Sequence, residues 1–164
     1  MHSRGHLALQ YARLLGARVI AVDVEDAKLD LARALGADLT VNARTTDPVR
    51  AISDYGGADV AIVTAASPRT FEQAYASLRR GGRMCCVGLP ADDKIAISVF
   101  DTVLSGKQVI GSIVGTRNDL VDVFALHAAG RTKVIAEPRH LEDVNSCFDE
   151  VLEGHVPARL VFTF

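Results

Sequence analysis

The chain has 164 residues, of which 49% are apolar and 23% charged, and a net charge of −2. That is enough chain to bury a core and too apolar for a disordered one. The near-neutral balance gives no pull toward nucleic acid or an anionic membrane, no apolar run approaches a bilayer span, and the N-terminus has no apolar signal core, so a cytoplasmic location is expected.

In chain order, short apolar runs alternate with helical stretches. Leu7–Leu15 has the spacing of an amphipathic helix, and after Gly16 the run Val19–Asp23 is a strand ending in an acid. Asp26–Leu35 is a helix closed by Gly36, and Leu39–Asn42 a short strand. Asp47–Asp54 is helical with Pro48 just inside its start, and Ala58–Thr64 is a buried strand. Ser67 caps a helix that begins with Pro68 and runs through Leu78; Gly81 and Gly82 then turn into a strand over Arg83–Leu89. Ser98–Leu104 is a helix, Val109–Gly115 a strand, and Asp119–Ala129 a helix followed by Gly130. Lys133–Glu137 is a strand ahead of Pro138, Leu141–Glu153 a helix ended by Gly154, and Arg159–Phe164 the last strand. Because the strand runs are nearly all apolar rather than alternating, helices should cover both sheet faces. The expected fold class is α/β, a doubly wound parallel sheet, in one domain over 1–164.

The chemistry is concentrated near the start. Ser3, Arg4 and Gly5 lead into a helix, where backbone amides attract anions, and Gly5 can fill the last place of a phosphate-binding glycine turn. His2 stands where such a turn wants glycine, and a strand and earlier glycines of the unit would fall before Met1. Helix, glycine, buried strand and acid make the second half of a dinucleotide-binding βαβ unit. Asp23, 18 residues after Gly5, is placed to accept hydrogen bonds from an adenosine ribose and to repel an extra phosphate, which favours NAD over NADP. The alternative for Asp23 is a capping or solvated acid. Lys28 could reach the same ribose or be a solvated helix lysine. In the order 3-2-1-4-5-6 a strand is expected between the Val19 and Ala58 strands. Without it the chain must pair those two directly, borrow a strand from another copy, or be unstable alone.

Cys85, Cys86 and Cys147 read as reduced, buried thiols, because neighbours on a strand face opposite ways and no metal-ligand spacing is present. The five histidines, His2, His6, His127, His140 and His155, read as surface or helix-end residues, and no metal site is expected.

Over essentially its whole length the chain resembles the coenzyme domain of the zinc-dependent medium-chain alcohol dehydrogenases, yeast and bacterial branch. The stretches that carry the likeness are GHLALQYARLLGARVIAVDVEDAKLDLARALGAD, GGADVAIVTAASPRTFEQAYASLRRGGRMCCVGLP, GKQVIGSIVGTRNDL and PARLVFTF. The resemblance implies a Rossmann-like sheet and an NAD site. Ser3, Arg4 and Gly5 would end the pyrophosphate turn, and Asp23 and Lys28 would hold the adenosine ribose. Thr64 and Ala65 would flank the riboses, and Val87, Gly88 and Leu89 would underlie the nicotinamide. Ser112 and Val114 would bond the carboxamide through their backbone, and Arg159 would reach the pyrophosphate. For Val87, Leu89 and Val114 the residues alone suggest core packing. The family's zinc ligands lie in a separate catalytic domain toward which residues 133–164 would return, so this chain by itself is not expected to catalyse. The edge strand near Val109–Val114 would pair two copies. The other readings are a non-catalytic oligomerisation or degenerate nucleotide-binding module, and a fragment of a polyol dehydrogenase or another medium-chain reductase.

Overall fold

A computed structural model describes residues 5–154, 156 and 158–164. The chain divides into two compact units, one built from residues 1–40 and 117–164, the other from 41–116. Within the α/β arrangement the strands of the described residues form three sheets, β1–β2, β3–β4–β5 and β6–β7, and the β3–β4, β4–β5 and β6–β7 pairs run parallel.

The first unit opens with α1 (Gly5–Leu14), whose buried residues His6, Leu9 and Gln10 share one face. Then come β1 (Ile20–Asp23) and α2 (Asp26–Ala34), with α2 lying against both β1 and α1. Asp38 fixes the entry to β1: its carboxylate accepts from the Val19 amide at 2.7 Å and from Arg13, while its own amide donates to the Val19 carbonyl. The Val19 amide, with Arg13 in support, holds the Asp38 carboxyl below the ordinary carboxylate value. The chain leaves this unit within β2 (Leu39–Asn42) and returns at α6 (Arg117–Ala128), followed by β6 (Glu137–His140), a short 3-10 turn, α7 (Val144–Leu152) and β7 (Leu160–Thr163). β6 and β7 pair in parallel across α7, from Glu137 opposite Leu160 to His140 opposite Thr163.

The second unit contains α3 (Pro48–Asp54), β3 (Ala58–Val63), α4 (Pro68–Ala76), β4 (Leu78–Cys86), α5 (Val99–Ser105) and β5 (Gln108–Gly111). Asp47 caps α3 by accepting from the Val49 amide, and Ser98 caps α5 by accepting from the Asp101 amide. Phe71 and Tyr75, one helical turn apart on α4, cover Val63, Leu78 and the fully buried Met84. Ile95 and Ile97 close the same core from the connection into α5. A polar clamp holds α5 to α4. The Tyr75 hydroxyl lies 2.5 Å from Thr102 Oγ1, and Lys107 Nζ donates to Asp101 Oδ2 at 2.8 Å and to the Tyr75 carbonyl at 3.3 Å. The Lys107 ammonium also stands 4.8 Å from the Tyr75 ring centre.

Several sequence expectations are corrected. β1 and β3 belong to different sheets, so direct pairing of the Val19 and Ala58 strands does not form. Helices do not cover both faces of β3–β4–β5: Val60 and Ile62 are about half exposed at 51% and 50%. β4 begins at Leu78, five residues before the expected start, because Leu78 already pairs with Ala58 ahead of a register shift. The strand expected over Lys133–Glu137 lies instead at Glu137–His140. His6 stands at the start of α1, a helix end, but is fully buried. The thiols are free, but only Cys147 is buried; Cys85 and Cys86 are half-buried.

Two outcomes follow. Met84→Ala empties the centre of the second unit and is expected to cost about 2–5 kcal/mol in a urea titration, with the m-value unchanged. Asp101 sits below the ordinary carboxylate value, chiefly through its hydrogen bond from Lys107 and then that from Ser105. A carboxyl lowered in the folded state stabilises above its unfolded value near 4 and loses that contribution as pH falls through the folded value. Asp101→Asn should therefore flatten the acid limb of a plot of thermal midpoint against pH while leaving its alkaline limb parallel to that of the unmodified protein.

Candidate functional site

The sequence-predicted residues fall in both units. In the second, Thr64 and Ala65 directly follow β3, and Val87, Gly88 and Leu89 directly follow β4. The Val63 carbonyl accepts from the amides of both Val87 and Gly88, at 3.0 and 2.8 Å. This draws the two strand ends together so closely that a methyl group on Gly88 would lie 2.2 Å from the Ala65 carbonyl oxygen. Beyond β5, the Ser112 amide donates to the Cys86 carbonyl at 2.9 Å, which continues the ladder by one residue. The structure thus brings Thr64, Ala65, Val87, Gly88 and Ser112 to the carboxyl ends of three neighbouring parallel strands. Ligands bind at such ends in open α/β sheets.

Core packing, the reading that the residues alone suggested for Leu89 and Val114, is wrong. Leu89 is 89% exposed and Val114 is 92% exposed. Val87 is half-buried. Apolar side chains that emerge at the strand ends and stay in solvent are available to an apolar ligand surface.

In the first unit, Gly5 begins α1, whereas Ser3 and Arg4 lie outside the described residues. Asp23 ends β1, and its Oδ1 accepts from the amides of Val24 and Glu25, at 2.8 and 3.1 Å. The acid therefore does cap the turn into α2, and this anchorage fixes the carboxylate at the strand end. Lys28, in the first turns of α2, places its ammonium 3.8 Å from where a Cβ on Gly154 would stand, just beyond α7, where a helix end favours a cation. The half-buried Arg159 lies one residue before β7, and its carbonyl accepts from the Glu137 amide at 3.0 Å.

The sequence reading missed His6 and Gln10. His6 Nε2 accepts from the Ile135 amide at 3.2 Å. The Gln10 amide binds both backbone groups of Lys133, accepting from its N–H at 2.7 Å and donating to its carbonyl at 2.9 Å. The available signal was a polar pair at i, i+4 on the apolar face of an amphipathic helix.

Among the described residues, no group of three His, Cys, Asp or Glu side chains could hold a metal ion. Cys86 packs on the α4 core while Cys85, in register with Ile62 and Ile110, faces the other way, so the adjacent thiols cannot share a metal. Nor is any described helix long and apolar enough to cross a membrane.

Gly88→Ala forces the β4 turn away from the Ala65 carbonyl and is expected to cost about 1–3 kcal/mol. Gly111→Ala, whose methyl would meet nothing within 4 Å, should stay within about 0.5 kcal/mol in the same thermal melts.

The profile of the zinc-binding dehydrogenase family matches residues 5–129. An alcohol dehydrogenase of Geobacillus stearothermophilus is 48% identical over 158 residues, 96% of this chain and 47% of its own length. The crystal structure of the alcohol dehydrogenase from Aeropyrum pernix superposes with a TM-score of 0.94 at 30% identity, over 99% of this chain and 48% of that one. Acetophenone reductase from Geotrichum candidum, solved in complex with NAD, matches with a TM-score of 0.85 at 26% identity, over 99% and 46%. The chain spans about half the length of the curated relatives it matches. Its parallel Rossmann-like architecture, its strand-end turns and these likenesses converge: the chain belongs to the zinc-binding dehydrogenase family.

Proposed function

We propose that this chain is the NAD-binding part of an alcohol dehydrogenase, acting on alcohols and aldehydes, and that it works in the cytoplasm. The observation that carries the reading is the turn at Gly88, where two strand ends meet closer than any side chain would allow, with Leu89 beside it in solvent. Such a cradle fits a flat cofactor ring laid on backbone. Asp23 would take the adenosine ribose hydroxyls and Lys28 would assist it. Gly5, with Ser3 and Arg4, would meet the pyrophosphate, joined by Arg159. Thr64, Ala65, Val87, Gly88 and Leu89 would line the nicotinamide riboside, and the backbone of Ser112 and Val114 would fix its carboxamide. Bound there, the nicotinamide supplies the hydride acceptor or donor. Among the described residues, no cluster of thiol, imidazole and carboxylate groups fits a zinc ion.

A second copy of the chain is proposed as partner, through β5. Among the described residues this strand pairs only with β4; it carries the half-exposed Val109 and Ile110, and α5 before it exposes Val99, Phe100 and Val103. An apolar strand edge of this kind invites pairing across a two-fold axis. The same surface would serve a non-catalytic oligomerisation module. A polyol dehydrogenase would use the same cofactor groups.

NADH fluorescence titration tests the cofactor reading. Saturable binding is expected, weakened roughly ten- to hundred-fold by Asp23→Ala through loss of charge-assisted hydrogen bonds. NADPH should bind more weakly than NADH. Absence of any binding at millimolar NADH would remove the cofactor role and leave the oligomer reading. For the partner, light scattering should give twice the monomer mass, and Ile110→Asp should return the monomer.

A further inference from the structure

Residues 131–136, after α6, pair with no strand among the described residues, yet their backbone is closely held. Gln10 binds both backbone groups of Lys133, as a peptide group of an adjacent strand would. Four residues earlier on the same helix, His6 takes the Ile135 N–H on Nε2. Because that backbone group can only donate, the buried imidazole carries its proton on Nδ1. From α6, His127 Nδ1 lies 3.1 Å from the Thr132 carbonyl. A carbonyl only accepts, so this Nδ1 bears the proton. Two residues past Ile135, the Glu137 amide donates to the Arg159 carbonyl, and β6 runs in register with β7 from there.

We propose that His6 and Gln10 are positioning residues: a two-point tether by which α1 sets the position of Arg159 through Lys133, Ile135 and Glu137. The tether rests on the cofactor reading only for its purpose. In that reading α1 presents its N-terminus to the pyrophosphate and Arg159 reaches the same group, so the tether ties two phosphate contacts to one helix. A side-chain amide suits this role because it supplies donor and acceptor together, so both backbone groups of Lys133 are met by one residue.

The test uses the full chain and two readouts. In the first, amide hydrogen exchange is followed at Lys133, Ile135 and Glu137. Gln10→Ala should speed exchange at least tenfold at Lys133 and also several-fold at Glu137; His6→Ala should do the same from Ile135. His6→Gln, which keeps an acceptor near the Nε2 position, should stay within about threefold of the unmodified chain. Faster exchange at Lys133 with Glu137 unchanged would overturn the proposal, because the tether would then end where it begins. The second readout is NADH affinity in a double-mutant cycle. Gln10→Ala should weaken binding several-fold in the unmodified chain and in Asp23→Ala, but hardly at all once Arg159→Ala is present. An equal loss in all three backgrounds marks general softening and also overturns the proposal. If Gln10→Ala does not fold, His6→Ala against His6→Gln carries both readouts. If the unmodified chain binds no NADH, the cofactor reading fails by itself and exchange at Glu137 alone decides the tether.

Discussion

The β3–β4 ladder depends on two places where no side chain fits. At one end, a methyl on Gly82 would stand 2.8 Å from the Ala58 carbonyl oxygen; at the other, a methyl on Gly88 would stand 2.2 Å from that of Ala65. Between these close approaches the strands hold register from Val60 opposite Arg83 to Val63 opposite Cys86. Phe71 and Tyr75 then press on Met84 from one side only. The strand-end turns, and every candidate cofactor contact of the second unit, inherit their position from this bracketed ladder. Glycine is required here by proximity, a stronger demand than conformational freedom.

The sequence disclosed what periodicity and punctuation control. The helices starting at Asp26, Pro48 and Pro68 stand within a residue of where periodicity and proline put them, and β1, β2 and β3 end within a residue of expectation. The place of Asp23 at the end of β1 was legible because the apolar run before it stops at an acid. What stayed hidden was settled by partners distant in the chain. Nothing local in Lys133–Glu137 says that a glutamine more than a hundred residues earlier replaces a ladder, so an apolar, β-branched run looked like a strand. The burial of His6 stayed hidden for the same reason: it depends on a backbone N–H that only the fold supplies. Leu89 and Val114 misled in the opposite sense, since apolar character reports what a side chain avoids and not whether the protein itself provides the cover.

The two units solve the backbone-pairing problem differently. In the second, strand ladders satisfy the peptide groups, and α4 with Ile95 and Ile97 seals one face. In the first, side chains do part of that work: Asp38 ties the start of β1, Gln10 stands in for a strand, and His6 and His127 hold opposite ends of one short segment with opposite hydrogen-bond polarity. Side-chain pairing is more specific than a ladder and less forgiving, because each bond rests on one residue type.

Cys85 and Cys86 are neighbours in sequence on opposite faces of one sheet. Cys86 lies against the α4 core, and burial raises its thiol above the ordinary value, with the adjacent Cys85 adding to the effect. Cys85 shares its face with Val60 and Ile62. One dipeptide thus carries two chemically distinguishable reporters a single peptide bond apart. A label taken up at the first senses whatever comes to cover the open face, and the silence of the second shows that the core beneath α4 is still closed.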